Sequence, residues 1–214
     1  MSGLRWLVSG TGRCGTGFIQ QVLWSAGVQC THEGIFRFDG EPAARARLEA
    51  RLKNEDGVWP AEASWLAAPC LDWPELADTT IVHLVRNPKK VIDSQMRFGI
   101  FRDTGNQYYA YLNWKAHWLP KLREIEDTFH RAVYFYVEWN NIVAQHATTF
   151  HRVEDDAREL LDKLGIDHEG VELFSNTTFN TRHGDRHSDV DLHELPDDLR
   201  VPLFEMAERY GYQV

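Results

Sequence analysis

The residues with the clearest chemical potential are Val8-Ser9-Gly10-Thr11-Gly12-Arg13-Cys14-Gly15-Thr16-Gly17-Phe18, a glycine-rich turn between a short apolar run and an amphipathic one. A turn of this kind aims consecutive backbone N–H groups and the positive end of a helix at one small volume, which suits phosphate or sulfate. Gly10 and Gly15 have the separation of the nucleotide-triphosphate loop, but that loop needs Lys and then Ser/Thr directly after its second glycine. Here Thr16 and Gly17 stand in those two places. The lysine for β/γ-phosphates and the hydroxyl for Mg²⁺ are therefore missing, and the cation on offer is Arg13, inside the turn.

Two further groups carry chemistry. Arg86-Asn87-Pro88 joins a β-rich run to a helix bearing Ser94. His32-Glu33-Gly34-Ile35-Phe36 follows a short apolar run at its carboxyl end, where ligands bind in open α/β sheets. Of these, Glu33 and His32 are both placed to act as a general base. Glu62 and Ser64 are candidates for the acceptor side.

These groups must be positioned by strands and helices, and hydrophobic periodicity places them. Arg5–Val8, Val28–Thr31, Ala61–Trp65, Thr80–Val85 and Ala132–Val137 read as strands. Helical spacing covers Phe18–Ala26, Pro42–Leu52, Pro88–Phe98, Asn140–Thr149, Glu154–Leu164 and Pro196–Tyr210. Asn87 is placed as N-cap with Pro88 as first helical residue, and Gly165 ends its helix as a C-cap. Tyr108–Thr128 is the longest periodic stretch, with Tyr111, Trp114 or Lys115, Trp118, Leu122 and Ile125 on one stripe; Trp114 and Trp118 read most simply as packing, and an acceptor pocket has the same spacing. Arg45, Arg47 and Arg51 read as a solvated face. Gly99–Gln107 reads as a gate over the acceptor, and 176–191, dense in turn formers, as a long loop.

The turn and the Arg86-x-Pro88-x-x-x-x-x-Ser94 element, in that order, resemble the sulfotransferases that use 3′-phosphoadenosine 5′-phosphosulfate (PAPS). The resemblance implies that Gly12, Arg13, Cys14, Gly15, Thr16 and Gly17 hold the 5′-phosphosulfate and that Arg86 and Ser94 hold the 3′-phosphate. It implies an α/β fold, a three-layer P-loop-like arrangement with a central, mainly parallel sheet flanked by helices. Glu33-Gly34-Ile35-Phe36 is similar to the Glu-x-x-Phe of branches with a catalytic Glu. Tyr136–Ile142 stands where relatives show a strand ending in Tyr-Glu-Asp-Leu, and Leu160–Ile166 resembles their Phe-Leu-Gly-Ile. The late Gly-x-x-Gly-x-x-Lys of the cytosolic branch is missing, and Arg182 is nominated in its place. Cys14 replaces the usual Ser, a weaker donor, and Arg13 the usual Lys, a planar fork for a point charge.

The likeness implies sulfuryl transfer from PAPS to a hydroxyl or amine of a small molecule, glycan or lipid, with 3′-phosphoadenosine 5′-phosphate (PAP) as product and no metal. A small-molecule kinase of P-loop type and a non-catalytic nucleotide-binding module are the alternatives. At 214 residues the chain is read as a single domain, 1–214, with an acceptor-side insertion around 36–73 and a loop plus helix over 176–214. The formal charge of −9 does not suit nonspecific nucleic-acid or anionic-membrane binding. Three scattered cysteines without Cys-x-x-Cys spacing favour a reducing compartment over a disulfide framework or structural zinc. His183, His187 and His193 lack the accompanying ligands of a metal site. With no signal-like or membrane-spanning run, the expectation is a cytoplasmic enzyme, with oligomeric state and acceptor open.

Overall fold

Trp6-Leu7-Val8 is apolar and, with Ser9, wholly buried, as a strand covered on both faces must be. It forms β1 (Trp6–Ser9), the central strand of the computed structural model, which describes residues 3–55, 59–101, 109–175 and 191–214, with only the backbone at 109–111. The other strands are β2 (Cys30–His32), β3 (Ala61–Ala63), β4 (Thr80–Val85) and β5 (Thr149–Arg152). They make one five-stranded sheet of order β2-β3-β1-β4-β5, parallel throughout. The helices are α1 (Thr16–Ser25), α2 (Glu41–Leu52), α3 (Pro88–Phe98), α4 (Tyr109–Trp118), α5 (Thr128–His146), α6 (Ala157–Lys163) and α7 (Asp197–Arg209). This is the α/β class with a central parallel sheet that the sequence leads one to expect.

The chain divides into two compact units, Met1–Val85 with Ile142–Gly184 and Arg86–Asn141 with Asp185–Val214. The first holds the sheet. Residues in register on neighbouring strands share a face, so Cys30, Ala61 and Trp6 form one row and His32, Ala63, Val8 and Val82 the next. That face packs with Phe18, Ile19, Val22 and Leu23 of α1 and Leu160 and Leu161 of α6 into one apolar core. The alternate residues, Thr31, Glu62, Leu7 and Ile81, form a row on the opposite face.

In the second unit, aromatic rings make the core. Phe135 and Trp139 lie 4.8 Å apart, Phe101 and Phe135 5.5 Å, and Trp114 packs at 5.7 Å on Trp139, as its stripe predicts. Lys115 is 2% exposed, its Nζ 4.3 Å from the Phe101 ring centre and 4.7 Å from that of Phe135. Burial holds its pKa well below the lysine range.

Several expectations fail here, in whole or in part. Ala132–Val137 is not a strand but part of α5, and so is all of Tyr136–Ile142. Ala132, Val133, Tyr136, Trp139, Asn140 and Val143 are buried at helical spacing, a period that a six-residue window cannot separate from a continuous apolar run. The expected helix near Asn140–Thr149 holds over Asn140–His146, as the end of α5, and fails at Thr149, where β5 begins. β5 is an edge strand with one fully buried residue, so it shows no apolar run. The long Tyr108–Thr128 period is also interrupted: Leu119, ahead of Pro120, leaves helical geometry at φ −126° and ψ 76°.

Candidate active site

The turn after β1 is shaped by the strand beside it. Ser9 lies in register with His83 of β4, and a Cβ on Gly10 would sit 2.1 Å from the Leu84 carbonyl oxygen, so only glycine fits. The chain then reverses: the Cys14 N–H donates to the Thr11 carbonyl at 3.1 Å, and Arg13 and Gly15 adopt φ of +79° and +109°. Gly15 is the N-cap of α1 and brings no side-chain acceptor to its first turn. Cys14 is 1% and Thr16 5% exposed, while Arg13 and Gly17 are half-buried. The hydroxyls of Ser9, Thr11 and Ser64, buried at this carboxyl edge, have no hydrogen-bond partner among the described residues. Trp65, just past β3, covers the turn from the side, its indole 3.4 Å from where a Gly12 Cβ would stand. Phe38 meets it edge-on at 5.8 Å. Neither aromatic was singled out by spacing.

At the end of β2, two candidate bases meet this turn. His32 Nε2 lies 3.1 Å from Thr16 Oγ1 and 3.6 Å from Glu33 Oε1. Glu33 is held in the left-handed region at φ +54°, a conformation that persists for such a residue only where its surroundings enforce it. Its N–H donates to the Ala63 carbonyl at 3.3 Å, and the Glu33 carbonyl accepts from Arg37 Nε at 3.3 Å. Thr16, His32 and Glu33 are thus brought together at the α1 N-terminus.

Glu62 and Ser64 do not line an acceptor surface, since both are 0% exposed. Glu62 Oε2 accepts from the Thr31 hydroxyl and Oε1 from the Ile35 N–H at 3.0 Å. Burial pushes its pKa up to about 7 against the pull of these hydrogen bonds and Arg51. Burial and the neighbouring Glu62 carboxylate raise the Cys30 thiol as well. On β5, burial lowers His151 to about 4.

The arginines of α2 are not a solvated face. Arg51, 4% exposed, donates to Thr31 Oγ1 at 3.2 Å and to the Trp59 carbonyl at 3.3 Å. Arg47 donates to the Ile35 carbonyl at 2.7 Å and grips Asp39, and Arg45 pairs with Glu75 over the Trp73 ring. Their spacing gave no sign of this, because the partners come from other elements.

Arg86 and Ser94 belong to the second unit. Arg86 is peptide-bonded to Val85, the last residue of β4, and its carbonyl accepts from the Tyr136 hydroxyl at 2.9 Å. Asn87 caps α3 through Lys90 N–H with Pro88 in the first turn, as the sequence predicts, and Ser94 is 8% exposed. Gly99 ends α3 at φ +64° and Phe101 is buried, so the first residues of the supposed gate belong to a helix cap and a core. Residues 102–107 of that gate, and Arg182, His183 and His187, lie outside the described residues. Among the described residues, no cluster of three or more His, Cys, Asp or Glu forms a metal-sized group, and no helix is long and apolar enough to cross a membrane.

No protein-family model matches the sequence, and no curated protein does. Among solved structures, the chain is similar to the sulfotransferase domain from the Synechococcus PCC 7002 olefin synthase, at 17% identity and a TM-score of 0.49, over 99% of this chain and 95% of that one.

Proposed function

We propose that this chain is a sulfotransferase that takes its sulfuryl group from PAPS and passes it to a hydroxyl or amine. One observation carries the reading: an uncapped helix N-terminus behind a glycine turn, with His32 and Glu33 beside its first hydroxyl, Thr16. A turn of that shape is an anion cradle, and an adjoining carboxylate is what an attacking hydroxyl needs. The residues present fit the donor. The buried Thr11 hydroxyl has a hydrogen bond to give, Arg13 is a cation within the turn, and Arg86 and Ser94 match the element that relatives use for the 3′-phosphate.

PAPS, when bound, supplies an activated sulfur whose bond to the bridging phosphate oxygen is broken as the acceptor oxygen or nitrogen bonds to it. Glu33 takes the acceptor's proton, with His32 the second candidate. Arg13 and the first-turn N–H groups of α1 stabilise charge growing on the bridging oxygen. Arg86 makes a charge-assisted contact and Ser94 a neutral one to the 3′-phosphate, selecting against ATP. A sulfuryl group carries less negative charge than a terminal phosphoryl, which lessens the need for Mg²⁺ and suits a turn without the Lys-Ser/Thr pair. By analogy with phosphoryl transfer, position and electrostatics are the protein's main contributions.

Thermal-shift titration tests this directly. PAP is expected to stabilise the protein and ATP·Mg to leave it unchanged; the reverse pattern would turn the assignment to a kinase. Mass spectrometry of sulfated products after incubation with PAPS and cell extract then finds the acceptor, and binding without any product would leave a nucleotide-binding module.

A further inference from the structure

The turn that carries Glu33 is wrapped around a carboxylate that the proposed chemistry does not use. Glu62 is fully buried on β3, on the sheet face opposite α1, and its two oxygens collect two donors from the neighbouring chain: the Thr31 hydroxyl and the Ile35 N–H. Those donors bracket His32, Glu33 and Gly34. A side chain at position 34 has no room, because its Cβ would stand 2.7 Å from Thr31 Cβ and 3.2 Å from Glu62 Oε2. The Ile35 peptide is gripped from its other side too, its carbonyl accepting from Arg47, while Arg51 donates to Thr31 Oγ1.

A turn with a non-glycine residue at φ +54° needs such anchoring, since relaxing Glu33 toward ordinary backbone angles would release strain. The anchor is costly in its own right: a buried carboxylate is kept only where hydrogen bonds compensate it. Both features point to a carboxylate retained for what it holds.

We infer that Glu62 is a positioning residue, fixing the 31–35 turn in the one backbone conformation that presents Glu33 beside His32 and Thr16. This rests on Glu33 being the proton acceptor. Glu62 itself touches neither donor nor acceptor; it acts through Thr31 and Ile35.

The test compares wild type with Glu62→Leu, which keeps the bulk and removes both acceptors, and with Glu62→Gln, which keeps one acceptor for the Ile35 N–H. Hydrogen exchange at the Ile35 amide is read first. PAP affinity and the hydrolysis of PAPS follow, with water as acceptor: its oxygen bonds to sulfur, the sulfur–phosphate oxygen bond breaks, and Glu33 takes the proton. Expected for Glu62→Leu are faster exchange at Ile35, hydrolysis slower by roughly 10- to 100-fold, and PAP affinity within about twofold of wild type, with Glu62→Gln restoring most of both losses. Unchanged exchange at Ile35, or a loss of PAP affinity as large as the loss of rate, overturns the inference. If Glu62→Leu does not fold, Thr31→Val removes one of the two donors from the half-buried side and is expected to show the same pattern at smaller size. A wild-type protein that fails to bind PAP sinks the sulfotransferase reading instead, and the exchange comparison still decides whether Glu62 anchors the turn.

Discussion

The Thr16 hydroxyl lies 3.1 Å from Nε2 of His32, joining the first residue of α1 to the last residue of β2. The glycine turn and His32, the second candidate base, are therefore one hydrogen-bonded unit, with Glu33 Oε1 3.6 Å from the same nitrogen. Thr16→Val, which keeps the shape and loses the bond, is expected to weaken PAP binding and slow PAPS turnover together, by roughly tenfold each at about 1.4 kcal/mol per lost contact. Thr16→Ser is expected to keep both. Isothermal titration and PAPS turnover would check this, and a Thr16→Val protein with unaltered turnover would separate the two residues.

Glu33→Gln removes the proton acceptor while leaving the turn's backbone bonds to Ala63 and Arg37 in place. Turnover is expected to fall by roughly 10²–10⁴-fold with PAP affinity unchanged, the range of a lost general base. Should His32→Ala cost more than Glu33→Gln, the base is His32.

Arg86→Ala is expected to weaken PAP by about 1.5–3 kcal/mol, the size of a charge-assisted hydrogen bond, and to leave adenosine 5′-phosphate binding where it was. Equal losses for both nucleotides would take Arg86 out of 3′-phosphate recognition.

Gly10→Ala puts a methyl 2.1 Å from the Leu84 carbonyl oxygen, which is backbone within the sheet and has nowhere to go. Overpacking of this kind costs about 1–3 kcal/mol or more, and roughly 2–4 °C of melting temperature per kcal/mol is expected for a chain of this size. Calorimetry measures it; a variant as stable as wild type would mean the turn can lift off β4.

Glu62 gives stability a signed pH dependence. Its pKa is raised from 4.5 to about 7 in the fold, so between those values the native state binds more protons than the unfolded one. Stability from this group is full below about pH 4.5 and is lost as pH rises through 7, with a slope of at most about 1.4 kcal/mol per pH unit. His151, lowered from 6.5 to about 4, acts in the opposite sense, its contribution growing as pH rises through that range. The two overlap, so the wild-type curve alone does not isolate either. The difference between wild type and Glu62→Gln does: denaturant melts from pH 5 to 8 are expected to show Glu62→Gln gaining on wild type as pH rises. A constant difference would place the Glu62 titration elsewhere.

Much of the fold was legible because it is written locally. Arg5–Val8 and Thr80–Val85 are apolar runs bounded by turn formers, the Asn87-Pro88 junction carries its own cap, and the period of Pro88–Phe98 matches α3 residue for residue. The failures share a physical cause. Ala132–Val137 is one apolar run because all of it but the half-buried Tyr134 is buried in α5, and β5 is nearly polar because it is an edge. Burial, which no short window contains, decides both.

The sequence by itself determined the chemistry on offer: a glycine turn without a nucleotide-triphosphate lysine, an arginine within it, His32 and Glu33 after the second strand, and the Arg86–Ser94 element. The first three follow from residue type and spacing along the chain, and the last from a resemblance carried by Arg86, Pro88 and Ser94. Only the tertiary structure decided that Thr16 and His32 touch, that Glu33 is held left-handed, and that Glu62, Arg47 and Arg51 hydrogen-bond Thr31 and Ile35 on either side of it. Parallel strands bring together residues far apart in the chain, and the bonds that hold the turn around Glu33 run between strands and helices, where sequence spacing carries no record of them.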